Sequence, residues 1–167
     1  PEQEDASATY QVYDGNDALL AENTHFFEEL APGEEVRVAV DTLTDEPVDR
    51  GARSGITCAL IEIEPMPFGF EKFAPGPADS CVFVEIDSFG DIQVELNVVS
   101  PLTDSAELVI DYVLRGPDGV RFSDGVAFSE QVGPGQPSST PTDTFTDMPD
   151  WVNESTFSCQ ILSIQGF

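Results

Sequence analysis

The seven residues Asp41-Thr42-Leu43-Thr44-Asp45-Glu46-Pro47 return as Asp143-Thr144-Phe145-Thr146-Asp147-Met148-Pro149, 102 positions later. The same offset matches Tyr10 with Tyr112, Phe26 with Phe128, Leu30 with Val132 and Pro32-Gly33 with Pro134-Gly135, without a gap. A chain that carries one pattern twice in one register folds that pattern twice, and a period of this length describes units of domain size rather than a stack of short modules. Two packed units are expected.

Each unit reads as short strands separated by turns. Leu108, Ile110, Tyr112 and Leu114 share one parity, with Glu107, Asp111 and Arg115 among those opposite. That is the period a half-buried antiparallel strand imposes, because successive side chains point to opposite faces. Gly116-Pro117-Asp118-Gly119 ends this strand as a hairpin turn, and Asp14-Gly15-Asn16-Asp17 ends its counterpart at Tyr10–Tyr13. Return strands follow over 18–27 and 120–128, and Val36, Val38 and Val40 then alternate. Each repeat closes on a strand with a cysteine, Ile56–Glu64 or Phe157–Ile164.

Cys81–Ile86 and Ile92–Val99 add two strands to the second copy. No helical periodicity persists for three turns, and about seven short strands in the second copy match the count of an immunoglobulin-like sandwich. With 40% hydrophobic residues and 12 phenylalanines the chain can bury cores, so its 13 prolines and 13 glycines punctuate turns. The expectation is an all-β protein of two tandem immunoglobulin-like β-sandwich units. An incomplete unit spans 1–64, a Pro/Phe-rich junction 65–79, and a complete unit 80–167. Phe68, Phe70 and Phe73 of the junction are costly to leave in water and are expected to pack between the units.

Cys81 to Val98, Tyr112, the Asp118-Gly119 turn and Val132-Gly-Pro-Gly135 resemble the FxLYD-type immunoglobulin-like domains of secreted and surface proteins of archaea and bacteria. The likeness covers roughly 81–165 and the matching later part of 8–64. The Phe-x-Leu-Tyr-Asp string itself is absent, and Asn97-Val-Val-Ser stands where the family carries Asn-x-Ser/Thr. The resemblance implies a binding or structural module and brings no catalytic residues.

Three cysteines sharpen the repeat. Cys58 and Cys159 occupy equivalent places, and Cys81 opens the second unit, so a Cys81–Cys159 disulfide is expected to tie its first strand to its last. Such a bridge stabilises by about 4 kcal/mol in the chain-entropy model and points to an oxidising, extracellular compartment. The partner of Cys58 would sit one repeat earlier, ahead of the sequence, which leaves Cys58 as an unpaired or intermolecular thiol. The first unit correspondingly lacks counterparts of Cys81–Ile86 and Ile92–Val99. Three explanations stay open: a fragment of a longer repeat protein, a smaller variant sandwich, or completion by strands of another molecule on an edge formed by Tyr10, Val12 and Tyr13.

The formal charge of −26, from 32 acids against six bases, lacks the clustered cations that nucleic acid or an anionic membrane requires. It suits a salt-rich setting in which cations screen the carboxylates. No apolar run approaches the ~20 residues that span a bilayer, so no membrane insertion is expected. His25 is the only histidine, which leaves no His-rich metal site and one candidate for any Ser-His-Asp set. It reads as a packed or edge residue. Asp41, Thr44 and Asp45, with Asp143, Thr146 and Asp147, place oxygen ligands near a loop that suits calcium, or else bond local backbone in a turn before Pro47 and Pro149. The sequence thus points to a non-enzymatic surface or filament module whose partner is a second copy or another surface protein. The alternative is a calcium- or carbohydrate-binding accessory module, with Trp151 among its aromatics.

Overall fold

The computed structural model describes residues 4–37, 57–66, 71–88, 91–147 and 156–167, and nine strands form among them. They are β1 (Glu4–Tyr13), β2 (Leu19–Leu30), β3 (Thr57–Pro65), β4 (Ser80–Ile86), β5 (Asp91–Val99), β6 (Ala106–Arg115), β7 (Arg121–Val132), β8 (Pro137–Asp147) and β9 (Ser158–Gly166). The described residues contain no helix, and so none long and apolar enough to cross a membrane. The protein is all-β, and among the described residues three antiparallel three-stranded sheets are ordered β2-β1-β3, β4-β5-β8 and β7-β6-β9.

The chain divides into two units. Unit 1 holds 1–33 and 40–68; unit 2 holds 34–39 and 69–167. In unit 2 the two sheets share one core. Ile92, Val94, Leu96 and Val98 of β5 meet Leu108, Ile110, Tyr112 and Leu114 of β6, Phe122 of β7, and Ile161 and Ile164 of β9. Each side chain of this size withdrawn from water contributes about 1.5–3 kcal/mol. Cys81 of β4 and Cys159 of β9 join in a disulfide between the sheets, with their Cα atoms 5.4 Å apart. Tyr112 lies over Gly125, where a Cβ would collide with its phenol ring.

The outer side of β7-β6-β9 carries a polar cluster. Asp111, 1% exposed, accepts hydrogen bonds from Ser163 Oγ (2.5 Å) and Gln165 Nε2 (2.8 Å), and Lys72 Nζ lies 3.9 Å from the same oxygen. Phe73 beside Lys72 exchanges both backbone hydrogen bonds with Ile164 (2.9 Å each), which caps the free edge of β9. The described part of the junction, 71–79, therefore belongs to unit 2, and Phe68 and Phe70 lie outside the described residues.

Three further expectations are corrected. Unit 2 has six strands among the described residues, and at the seventh place Phe73 makes a single bridge to β9. Residues 34–39 belong to unit 2: Val36 bridges Arg121 in parallel, Arg37 pairs with Asp118 at 3.3 Å, and Glu34 pairs with Arg115. The second heptad is strand rather than turn as far as it is described, since Asp143 lies opposite Gln93 and buried Thr144 donates its hydroxyl to the Ile92 carbonyl at 3.0 Å. Thr140, Thr142 and Thr144 explain it, because β-branched side chains at alternate positions favour extended backbone.

Candidate functional site

Unit 1 reproduces one sheet of unit 2 almost residue for residue. Tyr10 pairs with Asn23 and Leu60, as Tyr112 pairs with Gly125 and Ile161. Val12 lies opposite Cys58, as Leu114 lies opposite Cys159. A bulge at Ile61, between the pairs Thr9–Glu62 and Tyr10–Leu60, recurs at Leu162. Even the turns agree. Asp14 N bonds Ala18 O and Asp17 N bonds Asp14 O, as Gly116 N bonds Val120 O and Gly119 N bonds Gly116 O. Asp17 accordingly takes φ 61 where Gly119 takes φ 80. The Asp14 carboxylate holds this turn, accepting from the backbone N–H groups of Asn16 (2.8 Å) and Ala18 (2.9 Å), and those bonds lower its pKa.

So β2-β1-β3 stands for β7-β6-β9, and among the described residues nothing in unit 1 stands for β4 and β5. The strand that feels the difference is β3. Leu60, Ile61 and Ile63 are 60%, 51% and 58% exposed, while their counterparts Ile161, Leu162 and Ile164 are 4%, 8% and 1% exposed. Among the described residues no strand pairs with the outer edge of β3, whereas Phe73 occupies the equivalent edge of β9. Cys58 is exposed and free.

The expected accepting edge moves accordingly. Tyr10, Val12 and Tyr13 lie on β1, the central strand, which is hydrogen-bonded on both sides, to β2 and to β3. Tyr10 and Val12 are buried. A strand with both neighbours in place has no backbone groups to offer a donor. Among the described residues both β2 and β3 are edges of this sheet, and β3 carries the exposed Leu60, Ile61 and Ile63, for which the repeat held the signal, since they align with core residues of β9.

The other candidates are scattered. Asp41, Thr44, Asp45 and Trp151 lie outside the described residues, as do the side chains of Thr146 and Asp147. Among the described residues no three His, Cys, Asp or Glu side chains gather within reach of a metal ion. His25 sits on β2 opposite Ala8, its ring 4.7 Å from that of Phe27. A groove of about 600 Å³ runs along Phe128–Gly133 and Gln136–Pro141, with Glu130 its one ionisable side chain.

Compared with protein-family models, with curated proteins and with solved structures, the chain matches none.

Proposed function

We propose that this chain is a non-enzymatic, extracellular structural or adhesive module of a cell surface or filament. In this reading both units are immunoglobulin-like β-sandwiches of the FxLYD type, and the first is completed by strands of another chain. The observation that carries it is the exposure of Leu60, Ile61 and Ile63 at positions whose counterparts are core. Each costs about 1.5–3 kcal/mol in water relative to burial, a steady driving force for covering β3. The disulfide supports an oxidising compartment, and the acidic, lysine-poor surface supports a saline one.

Sedimentation of the chain across protein concentration and salt tests the reading, with Leu60→Lys/Ile63→Lys alongside. Association that grows with concentration and is abolished in the double variant is expected. A strict monomer under every condition overturns the filament-subunit reading.

A further inference from the structure

In unit 2 the edge of β9 takes an antiparallel partner: Ile164 turns its N–H and C=O outward and exchanges both bonds with Phe73, at 2.9 Å each. Ile63 is its counterpart, since Ala8 lies opposite Ile63 as Ile110 lies opposite Ile164. Backbone direction alternates along a strand, and the bulge at Ile61 adds one residue to the count. Cys58, Leu60 and Ile63 therefore share a phase, with their N–H and C=O groups on the outer edge, while those of Thr57, Ala59, Glu62 and Glu64 turn toward β1. Pro65, which has no N–H to offer, falls in the outward phase and ends the run. Among the described residues no strand pairs with this edge. Counted along the ladder, the run is its own complement. Set antiparallel to a copy with Leu60 opposite Leu60, it places Cys58 opposite Ile63, Ala59 opposite Glu62 and Thr57 opposite Glu64, and the same pairs again on the other side of Leu60. Apolar side chains then meet on one face, and each acid meets a small uncharged residue on the other. From this match we infer that β3 is a homodimer edge: two copies pair antiparallel about a two-fold axis at Leu60 and join their β2-β1-β3 sheets into one continuous sheet.

This deepens the proposed function by naming the partner as a second copy, and it rests on the reading that another chain covers β3. The register is specific. A slip of one step sets apolar residues against acids and turns the backbone groups out of phase. A slip of two steps sets Glu62 against Glu62 in one direction, and in the other carries Ile63 past Thr57, where β3 of the copy begins. The centred register exchanges about six backbone hydrogen bonds, two at each outward pair. Both copies carry a net charge of −26 and bring Glu62 and Glu64 to the seam, so pairing strengthens as salt screens the carboxylates. Within the dimer the two Cys58 residues stand about 13 Å apart along the strands, too far for a disulfide, so the pairing is held without a covalent bond. A two-fold contact closes on itself at two chains, and a filament needs a second contact elsewhere.

The test uses the full 167-residue chain. In the dimer, position 63 lies about 5.5 Å, Cα to Cα, from Cys58 of the copy, within the span of a disulfide. Ile63 is 58% exposed, so Ile63→Cys leaves the fold in place, and mapping of the Cys81–Cys159 bond checks that it does. In oxidised glutathione, mass spectrometry is expected to find Ile63→Cys chains joined between positions 58 and 63, at least about tenfold faster than Glu64→Cys chains form any cross-link. The wild-type chain is expected to stay unlinked. Under reducing conditions at high salt, sedimentation is expected to find the wild-type chain moving from monomer to dimer as concentration rises, and Leu60→Lys remaining monomeric. Association of the wild-type chain without preferential joining of 58 to 63 overturns the β3 dimer and leaves the proposed function standing. A monomer at every concentration and salt, with no joining of 58 to 63, overturns both.

Discussion

Tyr112 shows how one residue separates two units of the same pattern. In unit 2 it lies on Gly125, and in unit 1 the corresponding Tyr10 is paired with Asn23 in place of a glycine. Burial pushes the Tyr112 phenol up from 10 to about 12, with Asp143 and Asp124 adding to the effect and a hydrogen bond with Thr142 opposing it. The unfolded chain releases this proton near pH 10, before the folded one does. The contribution to stability is therefore whole below pH 10 and lost as pH rises toward 12, at roughly 1.4 kcal/mol per pH unit. Urea titrations of unit 2 at stepped pH are expected to show this decline, and Tyr112→Phe to remove it. Asp17 marks a limit of sequence reading at the same scale. The Asp14–Asp17 turn was legible from its composition, but Gly15 was the natural bearer of a left-handed φ, and the fold gives it to Asp17.

At the scale of the element, β3 and β9 have nearly the same apolar pattern and opposite surroundings. Ile164→Ala opens a cavity in a packed core and is expected to cost about 2–5 kcal/mol, while Ile63→Ala in the isolated chain costs under about 1 kcal/mol. Chemical denaturation of the two variants checks the contrast, and equal losses would mean that β3 is as enclosed as β9. Alternation made most strands legible, and the repeat carried the pairing of β2, β1 and β3 over from β7, β6 and β9. Burial was not legible in the same way, because it depends on what lies across the face. Phe26 and Phe128 are conserved between the repeats yet 57% and 66% exposed, whereas Leu60 and Ile161 are alike in kind and differ completely in exposure. The accepting edge was misplaced for a related reason: one strand's sequence shows its two faces but not which neighbours flank it. The second heptad was read as a turn because Asp and Pro drew more weight than three threonines at alternate positions.

At the scale of the whole molecule, the disulfide belongs to one unit only. It closes a loop of 78 residues in unit 2, so reduction is expected to lower the stability of that unit by about 4 kcal/mol and leave unit 1 unchanged. Calorimetry with and without dithiothreitol reads this directly, and a matching shift in both transitions would contradict it. The Lys72–Asp111 pair has a consequence of another kind. Lys72 is the sole lysine, its side chain is 20% exposed, and its ammonium group is held at a buried carboxylate beneath the strand edge that Phe73 caps. Acylating reagents that decorate the surfaces of most proteins find almost no side-chain amine on this one. Acylation of Lys72 thereby becomes a clock for the opening of unit 2, expected to run at least about tenfold slower in native buffer than in denaturant.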